Sequence, residues 1–248
     1  HSPMSTSKLP LRLSFRLPSS KTIPAALLLL CSLTYGLFSP WLGLHWDDHS
    51  ILAAFGDDLI SVFSFWGADR PANAIYFYGV QSLFGEIAFL WHIWAVLLRW
   101  IGALLVWLLL VEFCEGKRFD CFAIASLFLI YPGFRFQSAA VAFNGNLLHL
   151  VLILLSILLM VYSLTNNSKR SLFVCSSVGT GFLSMMLNEY HLGYELFRPV
   201  AIWYFINSPT LSFRRNIVRV IRAWTPFALM LGAYFLYRVL LGSIERTE

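Results

Sequence analysis

Five consecutive residues, His45 to His49, bring two carboxylates and two imidazoles together directly after a long apolar segment. Such groups are costly to keep beside a membrane, so they are retained mainly where they hold a cation or accept a proton. Asp47 and Asp48 are therefore candidate catalytic bases. With His49 they are also candidate ligands of a divalent cation such as Mg²⁺ or Mn²⁺. The alternative is structural: either aspartate could cap the helix predicted to follow.

Further polar residues that could bind a substrate stand next to other apolar segments. Arg70 precedes Pro71, Arg135 and Gln137 follow Pro132, and the third group is Glu189, His191 and Arg198. Guanidinium groups bind phosphate in a fixed, forked geometry, so the three arginines are candidate phosphate ligands. Gln137 and His191 are candidate substrate contacts, and Glu189 is a further candidate catalytic carboxylate. The alternative for each arginine is to reach toward lipid headgroups from the end of a span.

The composition indicates the class of protein that must position these residues. Hydrophobic residues make up 58% of the 248 positions and charged residues only 12%, and the mean hydropathy is +0.69. This is more apolar surface than a soluble domain of this size can bury, so the chain is predicted to be an all-α polytopic membrane protein. The net charge of +5 is then explained by basic loops that set topology, and no nucleic-acid partner is expected.

Seven apolar segments follow one another along the chain. Four are predicted as strong spans: 23–44, 89–111, 146–164 and 223–241. Three are shorter, at 119–131, 172–187 and 200–207. If all seven cross, the basic clusters of the chain lie on one side of the membrane, as the positive-inside rule requires. The sequence thus predicts seven spans with the N-terminus in the cytosol and the C-terminus outside.

The domain organisation follows from these spans. Residues 1–22 comprise a tag remnant ahead of Met4 and a basic cytosolic N-terminus, and residues 23–248 form a single transmembrane unit. Its first outer loop, 45–88, has helical periodicity over 51–66 and again over 73–84, which predicts amphipathic helices at the membrane surface. Residues 211–224 are predicted to form a further surface helix on the inner side.

On this topology, the first-loop acids and Arg70, Arg135, Glu189 and Arg198 all face the outer side. Acids and arginines in one cleft could transfer a sugar from a polyprenyl-phosphate donor. The arginines would bind the phosphate, and a first-loop aspartate would deprotonate the acceptor hydroxyl in an inverting displacement. A second carboxylate could hold a divalent cation on the phosphate or orient the acceptor.

The order of these motifs resembles the conserved N-terminal seven-span module of the GT-C membrane glycosyltransferases, in particular the protein O-mannosyltransferase-like group. The matching residues are Trp46-Asp47-Asp48, Arg70-Pro71, Tyr131-Pro132 and Asn188-Glu189. The resemblance implies a GT-C fold, a lipid-linked sugar donor and an acidic base in the first outer loop, at Asp47 or alternatively Asp48. Asn188 departs from the lysine often found there. Members usually continue with further spans, so a protein partner or a missing C-terminal region is also implied.

Two other functions compete with sugar transfer. A non-catalytic membrane subunit would keep the module and bind a partner, and a lipid or solute transporter would carry ionisable groups near the middle of the membrane. The expected compartment is a bacterial plasma membrane or an endoplasmic reticulum membrane, with the active face periplasmic, extracellular or lumenal.

Overall fold

The computed structural model describes residues 21–55, 59–66, 70–131, 138–190 and 192–244. All regular elements within these ranges are helical. The α-helices are α1 Ile23–Cys31, α2 Asp47–Phe55, α3 Leu59–Trp66, α4 Pro71–Phe84, α5 Ala88–Phe113, α6 Arg118–Ile130, α7 Asn144–Thr165, α8 Arg170–Leu187, α9 Phe197–Ile206 and α10 Phe213–Ile244.

Five helical segments in the described part of the chain are long and apolar enough to cross a membrane. They are Ile23–Trp41, Ala88–Phe113, Asn144–Thr165, Asn167–Leu187 and Phe213–Leu241. The first comprises α1, a π-helical turn and a short 3₁₀ turn. The prediction of an all-α integral membrane protein is thereby confirmed. The helices at the other two apolar segments, α6 and α9, have 13 and 10 residues, fewer than the ~20 that a straight span needs.

Side-chain contacts define which helix ends lie together. Trp94, near the start of α5, donates a hydrogen bond to Tyr76 Oη, which donates to Asn144 Oδ1 at the start of α7. Thus α5 and α7 begin at the same end of the bundle. Helix α8 is antiparallel to α7, because His149 lies beside Ser184 while Ser156, further along α7, lies beside Ser177.

Two clusters of buried apolar side chains hold these helices together. The larger core joins α5, α7, α9 and α10 through side chains such as Ile157, Met160, Ile202 and Phe227, each exposed by 1% or less. A second core packs α1 and α6 against the other face of α5. Helix α7 belongs to the larger core along most of its length, so both of its ends are held in place.

The first loop folds into helices, as predicted, and forms a third core. Helix α4 begins at Pro71, two residues before the predicted start, because proline is well suited to the first turn of a helix. It ends at Gly85, whose φ of 53° suits glycine. The predicted helix over 51–66 is represented by α2 and α3, which flank positions outside the described residues. They pack through Leu52 and Val62 against Phe77, Trp91 and residues 140–141.

The last span differs from its prediction. A separate surface helix was expected over 211–224, whereas the structure has one continuous helix, α10. Pro226 lies inside it, where a proline removes one hydrogen bond of the helix and its ring crowds the carbonyl four residues earlier. Phe227 and Met230 are buried immediately beyond it, so packing against the bundle holds the helix together across this position.

Candidate functional site

The start of α7, with the turn 138–143 before it, is contacted by the segments that carry Asp48, Arg70 and Glu189. It contacts the first loop through Asp48, and Asn144 contacts α4. Asn146 accepts a hydrogen bond from Asn188, directly after α8. Three chain segments far apart in sequence therefore converge at one end of the bundle.

Asp48 is fully buried and connects the first loop to this turn. Its Oδ1 accepts hydrogen bonds from the backbone N–H of Val141 at 3.1 Å and of Ala142 at 2.8 Å. Its Oδ2 accepts one from the N–H of His45 at 3.1 Å, across a turn in which Trp46 adopts a φ of 58°. The carboxylate thus satisfies three backbone N–H donors that are buried or half-buried. It caps no helix, and its position gives it a structural role rather than access to a substrate.

Asp47 differs from its neighbour because its side chain is exposed. It is the first residue of α2, and its backbone carbonyl accepts a hydrogen bond from the Ser50 hydroxyl. A carboxylate in the first turn of a helix is stabilised in its charged form by the helix dipole. Of the two predicted bases, Asp47 is the one placed where an acceptor hydroxyl could reach it.

The predicted metal ligands do not come together. Asp48 faces three amides, and His49 Nε2 lies 3.1 Å from the carbonyl oxygen of Leu44. No group of three His, Cys, Asp or Glu side chains within the described residues is arranged to hold a metal ion. Asp47, Asp48 and His49 therefore do not form a metal centre in this structure.

Arg70 and Glu189 form an ion pair across the converging segments. Arg70 Nη2 donates to Glu189 Oε1 at 2.8 Å, and the side chains are 18% and 32% exposed. The guanidinium carbon also lies 5.7 Å from the ring centroid of Trp66 and 5.6 Å from that of Tyr190. Glu189 Oε2 is buried and accepts no hydrogen bond from the described residues. The Arg70 guanidinium is thus held by Glu189 and by two aromatic rings.

A group of polar residues beside this pair was not predicted from the sequence. Burial raises the pKa of the Tyr76 phenol, opposed by the hydrogen bond from Trp94, so Tyr76 remains a protonated donor to Asn144. Asn188 Nδ2 donates to Asn146 Oδ1 at 2.6 Å, and a Cβ added at Gly145 would lie 2.5 Å from Asn73 Oδ1. The signal in the sequence is Asn-Gly-Asn at the start of an apolar helix, where asparagine is otherwise costly.

An apolar groove of about 440 Å³ begins at Tyr190 and runs along the bundle. It lies between α5, α7 and the segment that precedes α9. Its lining residues are Val106, Leu109, Leu110, Phe113, Leu154, Ile157, Tyr190, Gly193, Tyr194 and Phe197. Tyr190 also contacts Arg70, so it joins the apolar groove to the ion pair. The combination suits a ligand that has an anionic head and a long apolar tail.

Arg198 lies away from this site, inside the bundle. It is 0% exposed and pairs in bidentate fashion with Glu195, through Nε to Oε2 at 2.5 Å and Nη2 to Oε1 at 2.8 Å. Nη2 also donates to Ser156 Oγ at 2.7 Å, about halfway along α7. Its guanidinium is therefore committed to protein groups rather than to a phosphate at the outer surface. The other three predicted ligands, Arg135, Gln137 and His191, lie outside the described residues.

Comparison of the chain with family models, with curated proteins and with solved structures found no match. The function is accordingly inferred from the residues and their geometry.

Proposed function

We propose that the chain is a membrane glycosyltransferase module that takes a sugar from a polyprenyl-phosphate donor. The observation that carries the proposal is that Tyr190 both lines the apolar groove and contacts Arg70 of the Arg70–Glu189 pair. The groove suits the prenyl chain, and Arg70 suits the phosphate because a guanidinium forms strong charge-assisted hydrogen bonds to it. Glu189 orients Arg70 through the hydrogen bond between Arg70 Nη2 and Glu189 Oε1.

Asp47 is the proposed base. Its carboxylate removes the proton of the acceptor hydroxyl as that oxygen forms a bond to the anomeric carbon. The bond from the anomeric carbon to the phosphate oxygen breaks, and the polyprenyl phosphate leaves with the electron pair. Arg70 stabilises the charge that develops on this leaving group. A single displacement of this kind inverts the anomeric configuration.

The proposed topology is seven traverses of the membrane, with α6 and α9 as short ones. Helices α5 and α7 begin at the same end, so the chain must return between them, and α6 is the element that lies there. The same reasoning applies to 188–206, which leads from the end of α8 beside Arg70 to the turn before α10. By the positive-inside rule, the Arg70–Glu189 end faces the periplasm, the exterior or the lumen.

Binding of the donor can be tested separately from transfer. A polyprenyl phosphate carrying a benzophenone should label the purified protein, and Gly193→Leu should abolish labelling because Gly193 lines the groove with open space at its Cβ position. Gly179→Leu is the matched control, since it also meets no neighbouring atom but lies outside the groove. Arg70→Gln should weaken labelling about tenfold. Equal labelling of both glycine variants would exclude the groove as the binding site.

Transfer is tested with radiolabelled polyprenyl-phosphate hexose and pentose in membranes that contain the protein. Asp47→Asn should lower transfer by about 10²–10⁴-fold, the usual contribution of a general base, while photolabelling persists. Undiminished transfer by Asp47→Asn would remove the proposed base.

A non-catalytic lipid-binding subunit is the second candidate. The observation that favours it is that Asp48, one of the two predicted bases, is buried and bonded to backbone amides. A structural role for Asp48 is compatible with a protein that binds lipid without catalysing transfer. Photolabelling of the wild-type protein without transfer to any acceptor would select this candidate. Transport is less favoured: Glu195 and Arg198 do lie deep in the bundle, but they satisfy each other.

A further inference from the structure

A second polar cavity, of about 680 Å³, lies at the far end of α7 from the Arg70–Glu189 pair. Its polar lining comprises Asn167, Arg170, Asn207, Ser208, Arg219 and Arg222. The 22 residues of α7 separate the two ends by about 33 Å at 1.5 Å per residue. The two sites are therefore too far apart to bind the same phosphate.

Three guanidinium groups converge on this cavity without acidic neighbours. Arg170 is the first residue of α8, and Arg219 and Arg222 stand three residues apart on α10. No Asp or Glu lines the cavity, and none of the three arginines forms an ion pair with a described residue. Like charges at this helical spacing repel each other, so an anion bound among them would relieve an unfavourable arrangement.

The same two arginines of α10 extend this charge into an adjoining cavity. Arg219 and Arg222 also line a space of about 600 Å³ together with Arg214 and Arg215. No acidic residue lines that space either. The first three turns of α10 thus present basic side chains to both cavities.

The turn that forms one wall of the larger cavity is held by hydrogen bonds. Asn216 is 4% exposed, and its Nδ2 donates to the carbonyl of Ser208 at 2.9 Å. Its Oδ1 accepts from the Ser208 N–H at 3.3 Å. The wall therefore keeps its position without a ligand, which lowers the entropic cost of binding one.

Basic loop residues are expected on the cytosolic side for topological reasons alone, but that rule requires only their presence, not their convergence on one cavity. Here arginines from two different helices, α8 and α10, line the same space. Leu164, Phe205, Ile206 and Ala223 contribute apolar surface beside the polar groups. This pairing of guanidinium groups with apolar surface suits a phosphate that is attached to a lipid.

We propose that Arg170, Arg219 and Arg222 form a binding site for the phosphate group of an anionic phospholipid, in the leaflet opposite the Arg70–Glu189 pair. The guanidinium groups donate charge-assisted hydrogen bonds to the phosphate oxygens, Asn207 and Ser208 lie within the same polar lining, and the apolar residues contact the glycerol and the first part of the acyl chains. Bound lipid stabilises the junction of α7, α8, α9 and α10.

The test compares two variants that each remove two positive charges. Arg219→Gln/Arg222→Gln changes the site, and Lys117→Gln/Arg118→Gln changes an exposed basic turn elsewhere. The full chain is purified in a neutral detergent, and thermal unfolding is followed while phosphatidylglycerol, phosphatidylcholine or inorganic pyrophosphate is titrated. Wild type and the Lys117/Arg118 variant should be stabilised by phosphatidylglycerol. The Arg219/Arg222 variant should need about a hundredfold more of it, at about tenfold for each guanidinium lost.

The three ligands separate the sources of phosphate. Stabilisation by pyrophosphate with the same dependence on Arg219 and Arg222 supports the phosphate site and assigns it to a soluble ligand. Equal weakening in the two variants, or an equal response of wild type to phosphatidylglycerol and phosphatidylcholine, would overturn the proposal. Circular dichroism and elution volume identify a variant that has not folded, and Arg170→Gln then replaces the double variant.

Discussion

The adjacent aspartates that follow the first span lie in opposite environments. Asp48 is buried and accepts three backbone hydrogen bonds, whereas Asp47, one position earlier, is exposed at the start of α2. Because successive side chains of a helix point in directions about 100° apart, one member of the pair faces the turn before α7 while the other faces outward. The proposed division of labour is that Asp48 holds the loop and Asp47 performs chemistry.

Asp48→Ala should therefore lower stability and Asp47→Ala should not. The Asp48 variant loses three hydrogen bonds to a charged acceptor and leaves their donors buried, which should cost about 3 kcal/mol or more. The free energy of unfolding can be measured by denaturant titration of the purified protein in detergent. Asp47→Ala serves as the control, with an expected change within about 0.5 kcal/mol. Equal stabilities of the two variants would contradict the structural role of Asp48.

The 188–206 segment is the element that joins the candidate site to the bundle. It begins beside Arg70, forms one wall of the apolar groove, and continues as α9. Its fixed point is Arg198, which lies between Glu195, Ser156 on α7 and the ring of Phe227 on α10, 4.6 Å from the ring centroid. The pair thus sets the position of Tyr190 and Tyr194 in the groove.

Glu195→Gln should unfold this element by leaving Arg198 buried without a counter-charge. Removal of one partner of a buried pair costs about 3–5 kcal/mol. The double variant Glu195→Gln/Arg198→Met removes both charges and should recover most of the loss. Thermal unfolding in lipid nanodiscs measures both effects, with Glu115→Gln at an exposed position as the control. A single variant as stable as this control would show that the pair does not hold α9.

The whole molecule is organised around α7, with a different polar site at each of its ends. The Arg70–Glu189 pair lies toward its beginning, the apolar groove contacts its middle through Leu154 and Ile157, and the arginine cavity lies beyond its last turn. The proposed seven traverses include α6 and α9, although neither helix has the usual length of a span. The number of traverses can be tested by measuring from which side of the membrane single cysteines react with a reagent.

The topology can be measured with variants that each contain one introduced cysteine. The four native cysteines, all free in the structure, are first replaced by serine. With seven traverses, cysteines at Lys117, Lys169 and Thr210 should all react with an impermeant maleimide only from the cytosolic side. A cysteine at Ser82 should react only from the opposite side, which provides the internal control. If only the five long helices crossed, Lys169 would label from the side opposite to Lys117, and the seven-traverse proposal would be wrong.

Several properties of this protein follow from sequence alone because they are local. Hydropathy over about 20 residues identifies a span, so the predicted spans 89–111 and 146–164 agree with α5 and α7 to within two residues at each end. Periodicity located α4 in the same way. The continuous course of α10 through Pro226 could not be predicted, because it depends on buried contacts of Phe227 and Met230 with other helices.

Which of the predicted residues come together in the candidate site is decided by the tertiary structure. Arg70 and Glu189 were both predicted as site residues, but they are 119 positions apart, and no local pattern indicates that they form a pair. Burial likewise distinguishes residues of the same type: Asp48 and Arg198 are buried, whereas Asp47 is exposed and Arg70 is partly exposed. Local chemistry thus determined which groups could act, and packing around α7 decided which of them face a ligand, because a buried charge must be neutralised by the protein itself.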